Sequence, residues 1–289
     1  MKLSFDKVAL IGVGLIGGSL ARGLKKHNLC GSITGFGRSI PELEKAVDLG
    51  VIDDYASSVT EAVTGADLII IAVPMNSFES VFSGMVGVVS ENAIITDVGS
   101  AKASVIETAK AVFGHLPSGL VPGHPIAGTE KSGVEASFDS LFENRRVILT
   151  PTESSSESAV NKVQEMWQQV GAEVVLMTPD HHDNVLAATS HLPHVLAFSL
   201  VDTLGKMHES SEIFRYAAGG FRDFTRIASS DPTMWRDICM SNKTAILSVL
   251  KKYERHLKTL ELAIEAGDAD AVNDIFVRAK MARDENVID

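Results

Sequence analysis

A short apolar run followed by closely spaced glycines near the N-terminus constrains the fold of this 289-residue chain more than any other feature. The run spans residues 8–11 and leads into an Ala/Leu-rich helical pattern through three glycines, Gly12, Gly14 and Gly17. This pattern is typical of the strand, tight turn and helix that open a dinucleotide-binding domain. There the first glycine makes the turn, the second lets the backbone approach a pyrophosphate and the third lets helix and strand pack closely. We expect the N–H groups at the helix start, around Leu15 and Ile16, to hold the phosphates. A glycine-rich turn without a ligand is the alternative.

The end of the second predicted strand, residues 32–36, bears on which dinucleotide binds. NAD would favour an acidic residue there for its ribose 2′-hydroxyl. The chain instead reads Gly37, Arg38 and Ser39. An arginine and a hydroxyl suit a 2′-phosphate, because a guanidinium pairs with a phosphate that a carboxylate would repel. We therefore expect NADP to be the preferred cofactor, with NAD as the alternative, and a solvated loop charge is the other interpretation of Arg38.

The charge and cysteine content limit the possible partners. The formal net charge is −11 and no run of Lys or Arg interrupts it, which argues against binding to nucleic acid or to an anionic membrane. The two cysteines, Cys30 and Cys239, match no metal-binding or redox spacing, so we expect a reducing cytoplasm. Glycines interrupt the N-terminal apolar run, which is too short to span a bilayer and lacks a signal-peptide cleavage site.

Strand-like and helical segments alternate through the first 178 residues. Apolar strand patterns occupy residues 67–74, 93–97, 119–122, 146–150 and 173–177, with helical patterns at 102–113 and 159–170. This alternation predicts an α/β, Rossmann-type, doubly wound parallel sheet. Ligands bind at the carboxyl ends of such strands, so we expect Val73 and Pro74 to contact the cofactor.

Beyond Thr178 the strand patterns stop and helical periodicity continues to the C-terminus. We therefore divide the chain into a dinucleotide-binding domain (1–178) and an all-helical substrate and dimerisation domain (179–289). Residues 185–204 are apolar almost all round, as expected of a helix buried in a core or in a subunit interface. A second apolar stripe runs from Ile246 to Ile264. These features predict a homodimer.

Three segments concentrate polar residues at the expected ligand edge. Ser100, in 96–102, could cap the following helix or bond a ligand. His124 lies between Gly123 and Pro125 and, as a neutral imidazole, could accept a proton from a hydroxyl whose carbon gives up hydride. A satisfied loop histidine is the alternative.

The third segment lies in the helical half, at 190–194 and 219–236. Pro193 is expected to kink its helix beside two histidines. His194 and Arg226 could line a cleft facing the nicotinamide, with Arg226 clamping a carboxylate. A metal held by His191 and His194 together with His181 or His182 is disfavoured because no carboxylate or thiolate completes the set, so we expect no metal.

At these residues the chain resembles the prephenate/arogenate (cyclohexadienyl) dehydrogenase family of tyrosine biosynthesis. Six stretches carry the resemblance: GVGLIGGSLA (12–21), the VP ending at Pro74, TDVGSAK (96–102), GHPIAGTEKSG (123–133), SHLPH (190–194) and GGFRDFTRIASSDPTMWRDI (219–238). The resemblance implies a Rossmann domain followed by a helical dimerisation domain, with the active site between them. It also implies oxidative decarboxylation of prephenate or arogenate by hydride transfer to NAD(P)+, without an attached chorismate mutase or regulatory domain.

Carried over by motif, the resemblance implies roles for individual residues. His124 would hydrogen-bond the substrate's ring hydroxyl, and Ser100 would bond the same hydroxyl or position the nicotinamide. Arg226 would pair with a substrate carboxylate. His194 and Glu130 would help to shape or gate the pocket. Trp235 and Asp223 would support the residues that contact the substrate, or would reach the site from the neighbouring subunit. The stretch 37–39 departs from NAD-using members, which carry an acidic residue there.

Two other functions remain open at this stage. A β-hydroxyacid-type dehydrogenase shares the overall plan but uses a lysine from its helical domain, where this chain offers histidines and arginines. A catalytically silent cofactor-binding sensor is the second, although it would not need His124, Ser100 and Arg226. The sequence leaves prephenate versus arogenate and feedback inhibition by tyrosine undecided.

Overall fold

The computed structural model describes residues 3–129 and 131–286. Its first sheet contains six parallel strands: β1 (Phe5–Ile11), β2 (Cys30–Phe36), β3 (Asp54–Tyr55), β4 (Leu68–Ile71), β5 (Ile94–Asp97) and β6 (Leu120–Val121). The strand order is β3-β2-β1-β4-β5-β6, so the chain reverses direction across the sheet between β1 and β4. The predicted Rossmann-type sheet is confirmed.

Helices cover both faces of this sheet. They are α1 (Leu15–Lys26), α2 (Ile40–Asp48), α3 (Val59–Val63), α4 (Phe78–Ser83), α5 (Ala103–Phe113) and α6 (Glu157–Gln169). Successive β1 side chains point to opposite faces. Val8 and Leu10 join a core cluster that contains Leu20 of α1, whereas Ala9 and Ile11 join a cluster on the other face. Burial on both faces explains why the central strands read as continuous apolar runs.

The last three strands form a separate small sheet, which the sequence did not predict. β7 (Gly123–Pro125) pairs antiparallel with β8 (Arg146–Leu149), and β8 pairs parallel with β9 (Glu173–Leu176). Pro122 separates β6 from β7; it has no N–H to donate, and its carbonyl accepts a hydrogen bond from the N–H of Thr150. The strands predicted at 146–150 and 173–177 therefore exist but lie outside the parallel sheet.

The rest of the chain described is helical, as predicted. It contains α7 (Pro179–Leu186), a π-helical turn (Ala187–His191), α8 (Leu192–Gly205), α9 (Ser210–Arg215), α10 (Gly219–Thr225), a 3-10 turn (Arg226–Ser229), α11 (Pro232–Ser241), α12 (Lys243–Glu265) and α13 (Ala269–Asn286). Pro193 lies in the first turn of α8, directly after the π-helical turn. The irregular backbone at Pro193 is therefore a widened turn between two helices, a feature often found at functional sites.

The long apolar stretch predicted at 185–204 is not a core helix of the single chain. Ala197 is the buried residue of α8, and Ile246 is the buried residue of the 23-residue α12. By length and composition alone, the continuous helical stretch Pro179–Gly205 could cross a membrane, because an 18-residue window of it has a mean hydropathy of 1.2; 22% of that window is buried. An apolar helix in a subunit interface has the same composition.

Candidate active site

The turn between β1 and α1 has the geometry that a pyrophosphate requires. Gly12 has φ = +100°, and a Cβ there would lie 2.3 Å from the carbonyl oxygen of Ala72. A Cβ on Gly17 would lie 2.3 Å from the carbonyl oxygen of Gly12, so the helix packs against the turn itself. Gly14 is different, because nothing lies within 4 Å of its Cβ position and it is the N-cap of α1 without a side-chain cap. The N-terminus of α1, which has no side-chain cap, and the open space beside Gly14 fit a phosphate-bearing cofactor.

The ends of the neighbouring strands border this turn. Gly37, Arg38 and Ser39 follow β2, and both Arg38 and Ser39 are exposed. The N–H of Gly12 donates to the carbonyl of Phe36 at the end of β2, which ties the two segments together. Val73 and Pro74 follow β4 on the other side of the turn and are partly buried and exposed, respectively.

A chain of three side chains runs from His124 into the helical domain. The Nδ1 of His124, on β7, lies 2.8 Å from the Nε2 of His182 on α7. The Nδ1 of His182 lies 2.7 Å from the Oδ1 of Asp183. His182 is fully buried and His124 is partly exposed, and the Nε2 of His124 has no hydrogen-bond partner among the residues that the structure describes.

Asp183 also holds the start of α5. Its Oδ1 accepts the N–H of Lys102 at 2.8 Å and its Oδ2 accepts the N–H of Ala103 at 3.0 Å. The N-cap residue of α5, Lys102, makes no capping bond through its own side chain. An aspartate from the helical domain therefore caps a helix of the nucleotide-binding domain, which fixes the two domains relative to each other beside His124.

Lys102 itself is fully buried below this cluster. Its ammonium donates to the carboxylate of Asp97 at the end of β5 and, at 2.7 Å, to the carbonyl of Gly123. The Oδ1 of Asp97 in turn accepts the N–H of Gly123 at 3.2 Å. Gly123 is thus held through both of its backbone polar groups, and the position of His124 follows from it.

Burial determines the charge states of these histidines. Burial, helped by His182 and Lys102, holds the pKa of His124 well below its usual value. Burial also lowers the pKa of His182, although the hydrogen bond to Asp183 opposes this effect. Burial would raise the pKa of Asp183, but hydrogen bonds from His182 and from two backbone N–H groups outweigh it and lower that pKa. At neutral pH the site therefore contains two neutral imidazoles and one carboxylate.

A second group of interacting side chains lies in the helical domain. The ring of His194, in α8, stacks on Trp235 of α11 with centroids 3.6 Å apart and planes at 18°. The Nδ1 of His194 lies 3.0 Å from the carbonyl oxygen of Ser190 in the π-helical turn. Burial lowers the pKa of His194, and the nearby positive charge of Arg226 lowers it further. Arg226 is exposed and begins the 3-10 turn after α10.

Sequence comparisons identify both halves of the chain. A profile of the prephenate dehydrogenase nucleotide-binding domain matches residues 20–176, and a profile of the prephenate dehydrogenase dimerization domain matches residues 178–278. The chain belongs to the prephenate dehydrogenase family. Cyclohexadienyl dehydrogenase of Zymomonas mobilis is 38% identical over 282 residues, which cover 96% of this chain and 95% of that protein. Prephenate dehydrogenase of Bacillus subtilis is 40% identical over 290 residues, which cover 96% of this chain and 76% of that protein.

Solved structures agree with this membership of the prephenate dehydrogenase family. Prephenate dehydrogenase from A. aeolicus, in complex with hydroxyphenyl propionate and NAD+, has a TM-score of 0.91 at 38% identity over 99% of each chain. Arogenate dehydrogenase from Synechocystis has a TM-score of 0.80 at 27% identity, covering 97% of this chain and 100% of that one. The resemblance to this family, the fold class and the oxidoreductase class predicted from the sequence are confirmed.

In the structure of this prephenate dehydrogenase family member, several of the predicted site residues lie close together. His124 lies beside α7 of the helical domain, and His194, Trp235 and Arg226 lie near one another. Ser100 does not cap α5, because Asp183 does. Asp223 is exposed on α10, and within residues 3–129 and 131–286 no hydrogen bond or ion pair joins it to His124 or His194; Glu130 lies outside the described residues. Among residues 3–129 and 131–286, no group of three or more His, Cys, Asp or Glu side chains could hold a metal ion.

Three buried polar residues of this site were not predicted from the sequence: Lys102, His182 and Asp183. His182 was considered only as a metal ligand, and the other two carried no assigned role. One signal was available, since the paired His-Asp at 182–183 falls on the first helix after the domain boundary, where polar residues face inward.

Proposed function

We propose that this chain oxidatively decarboxylates prephenate, arogenate or both, with NAD(P)+ as hydride acceptor, giving 4-hydroxyphenylpyruvate or tyrosine and CO2. The observation that carries the proposal is the neutral His124, held at the junction of the two domains with its Nε2 without a partner in the described chain. The turn of Gly12 and Gly14 would hold the pyrophosphate of the cofactor, and the nicotinamide would supply the acceptor for the hydride of the ring carbon that bears the hydroxyl. The hydroxyphenyl propionate complex of the A. aeolicus relative supports a site for a phenolic ring and a carboxylate.

In this mechanism His124 controls the hydroxyl proton. As the hydride leaves, the hydroxyl oxygen gains carbonyl character and its proton becomes acidic, so the Nε2 of His124 can take it up. Loss of CO2 returns an electron pair to the ring, which becomes aromatic, and the oxygen recovers its proton from His124. No net proton is consumed, and the protein forms no covalent bond to the substrate.

The remaining residues would hold and orient the substrate. Arg226 is the candidate partner for a substrate carboxylate, and Ser100 is the candidate second donor to the ring hydroxyl. Trp235 fixes the ring plane of His194 by stacking, so these two side chains would form a rigid pocket wall. We assign supporting roles to Asp223 and Glu130 from the family motif alone.

For the cofactor we propose NADP in preference to NAD, because the exposed Arg38 and Ser39 border the turn where an adenosine 2′-phosphate would lie. The Arg38→Ala variant should lower the ratio of kcat/KM for NADP to that for NAD by about tenfold, since one charge-assisted contact contributes about 1.5–3 kcal/mol. Arg145→Ala, which removes another exposed arginine, is the matched control and should leave the ratio unchanged. An unchanged ratio in Arg38→Ala would refute the assignment.

We further propose a homodimer formed by the helical domain, a domain division at 178/179 and a cytoplasmic location, which the two free cysteines fit. The β-hydroxyacid-type reaction and the silent sensor are not favoured, because the chain belongs to a family of a different reaction.

The decisive experiment measures initial rates with prephenate and with arogenate, each with NAD and with NADP. The proposal expects cofactor reduction in at least one of the four pairs, coupled to release of CO2. His124→Asn should reduce kcat by about 100-fold or more while cofactor binding persists, since a positioned base contributes that much. Absence of reduction in all four pairs, with folded protein that binds the cofactor, would contradict the proposal.

A further inference from the structure

We propose that Asp183 and His182 are positioning residues which fix the tautomer of His124, so that the Nε2 lone pair of His124 faces the substrate hydroxyl. The substrate side of this inference rests on the proposed function. The tautomer itself follows from the hydrogen-bond chain alone.

The chain of bonds allows one assignment of protons. Asp183 is ionised and can only accept, so the Nδ1 of His182 at 2.7 Å must carry a hydrogen. Because neutral His182 has a single N–H, its Nε2 holds a lone pair. That lone pair lies 2.8 Å from the Nδ1 of His124, which must therefore be the donor. Neutral His124 then has its lone pair on Nε2, the protonation state that a base for the hydroxyl needs.

Asp183 is itself held in the orientation that this assignment requires. The backbone N–H groups of Lys102 and Ala103 occupy both of its oxygens, so the carboxylate cannot rotate away from His182. The carbonyl oxygen of Asp183 accepts the side-chain amide of Asn242, which fixes its backbone as well. A carboxylate used only as a helix cap would not need a buried histidine between itself and His124.

The same chain can take up the charge that forms on His124. When Nε2 of His124 binds the hydroxyl proton, its Nδ1 proton can move to Nε2 of His182. The positive charge then lies next to Asp183, and the reverse movement restores the resting state after CO2 is lost. No heavy atom has to move, and no oxidant or further reactant is needed.

Several other charged or titratable groups surround His124, and a test by pH must take them into account. They are Lys102 with its partner Asp97, His191 in the π-helical turn and, next to His191, His194 with Arg226. Lys102 and Asp97 form a buried pair whose opposite charges are directly bonded. The test therefore changes His182 and Asp183 and leaves these groups in place.

Three variants separate positioning from simple structural support. In His182→Phe the acceptor for His124 is lost, and kcat should fall by about 100-fold with KM within about threefold of wild type. In His182→Gln the amide oxygen can accept from His124 Nδ1, and kcat should recover by about tenfold relative to His182→Phe. In Asp183→Asn kcat should fall, and the acid limb of its pH profile should shift to lower pH, because a protonated histidine pair loses its neighbouring negative charge.

Matched controls lie on the same helix. His181→Gln and Asp180→Asn alter exposed neighbours of the same types and should leave kcat and the pH profile unchanged. A His182→Gln variant no better than His182→Phe, or an Asp183→Asn variant with an unmoved acid limb, would overturn the proposal.

A measurement on the unmodified protein tests the inference even if these variants fail to fold. Histidine labelled with ¹⁵N distinguishes the two neutral tautomers by the chemical shifts of the ring nitrogens, and His124→Asn assigns the His124 signals. We expect His124 to carry its hydrogen on Nδ1 at pH 7.5, and a hydrogen on Nε2 would overturn the proposal. Wild-type protein without turnover would instead refute the proposed function and leave the tautomer result standing.

Discussion

Two residues near the junction of the two domains, Arg226 and His124, are suited to bind different chemical groups of a ligand. Arg226 lies close enough to lower the pKa of His194, and its guanidinium group carries positive charge. It is therefore suited to an anionic group, whereas neutral His124 is suited to a hydroxyl. This difference predicts different kinetic effects when each residue is changed.

Arg226→Ala should raise KM for the substrate by about 10- to 100-fold, since hydrogen bonds to charged groups contribute about 1.5–3 kcal/mol. The value of kcat should change much less, because a carboxylate distant from the reacting carbon is bound in the ground state as well as in the transition state. Arg215→Ala removes an exposed arginine of α9 and serves as the control. Steady-state kinetics measure KM and kcat of both variants. A KM of Arg226→Ala equal to that of wild type would show that Arg226 does not bind the substrate.

At the scale of elements, the glycine turn shows how one short segment combines stability and binding. Gly12 has a positive φ, and the carbonyl of Ala72 lies where a Cβ of residue 12 would be. Gly14 has φ = −103° and ψ = −156°, and the position of its Cβ is open. An alanine can adopt the backbone of Gly14 but not that of Gly12 without strain.

Gly14→Ala should therefore keep the melting temperature of wild type and raise KM for the cofactor by about tenfold or more, because its methyl group occupies the space for the pyrophosphate. Gly12→Ala should lower the free energy of unfolding by more than about 1 kcal/mol. Thermal unfolding and cofactor titration of the two variants provide the comparison. A Gly14→Ala variant that binds the cofactor normally would show that the phosphates lie elsewhere.

The glycine turn could be predicted from the sequence because every contact that defines it lies between neighbouring strands and one helix. The bond between His124 and His182 could not, since 58 residues separate them and it depends on how α7 packs against β7. A fully buried lysine such as Lys102 also contradicts the usual surface position of that residue, and only its bonds to Asp97 and Gly123 explain it. The helical periodicity predicted the apolar faces of α8 and α12, but it could not tell a core from a subunit interface.

At the scale of the whole molecule, the buried neutral histidines connect the site to the pH dependence of stability. Burial lowers the pKa of His191 to about 4, whereas an unfolded histidine has a pKa of about 6.5. As the pH falls below about 6.5 the unfolded state takes up a proton that the folded state does not, so stability is lost towards pH 4. At pH 5 this loss amounts to about 2 kcal/mol from His191.

We therefore expect the free energy of unfolding to decrease between pH 7.5 and pH 5, and His191→Gln to reduce that decrease by about 2 kcal/mol. Exposed His208 provides the control, and His208→Gln should retain the pH dependence of wild type. Denaturant titrations at the two pH values measure both effects. Equal pH dependence in wild type and His191→Gln would show that His191 titrates normally in the folded protein.

Many of the large apolar side chains that the single chain leaves exposed lie on the helical domain, and they point to its assembly. They include Leu257 and Ile264 on one face of α12 and Phe276 and Met281 of α13, which are 50%, 61%, 56% and 54% exposed. Monomeric proteins rarely leave large apolar surfaces in water, and the segment matches a dimerization domain. Removing these side chains from water in a homodimer would stabilise the assembly by the hydrophobic effect.

Leu257→Glu should therefore convert a dimer into a monomer at micromolar concentrations, because a buried unpaired carboxylate at the interface opposes association. Thr259→Glu adds the same charge about 200° further around α12 and should remain dimeric, since successive helical residues are about 100° apart. Sedimentation or light scattering gives the mass, for which the monomer value is 30.9 kDa. If wild type sediments as a monomer, or if both variants stay dimeric, α12 does not form the interface. If Leu257→Glu is monomeric and retains turnover, each chain contains a complete active site; loss of turnover in a folded monomer would show that the active site depends on the partner subunit.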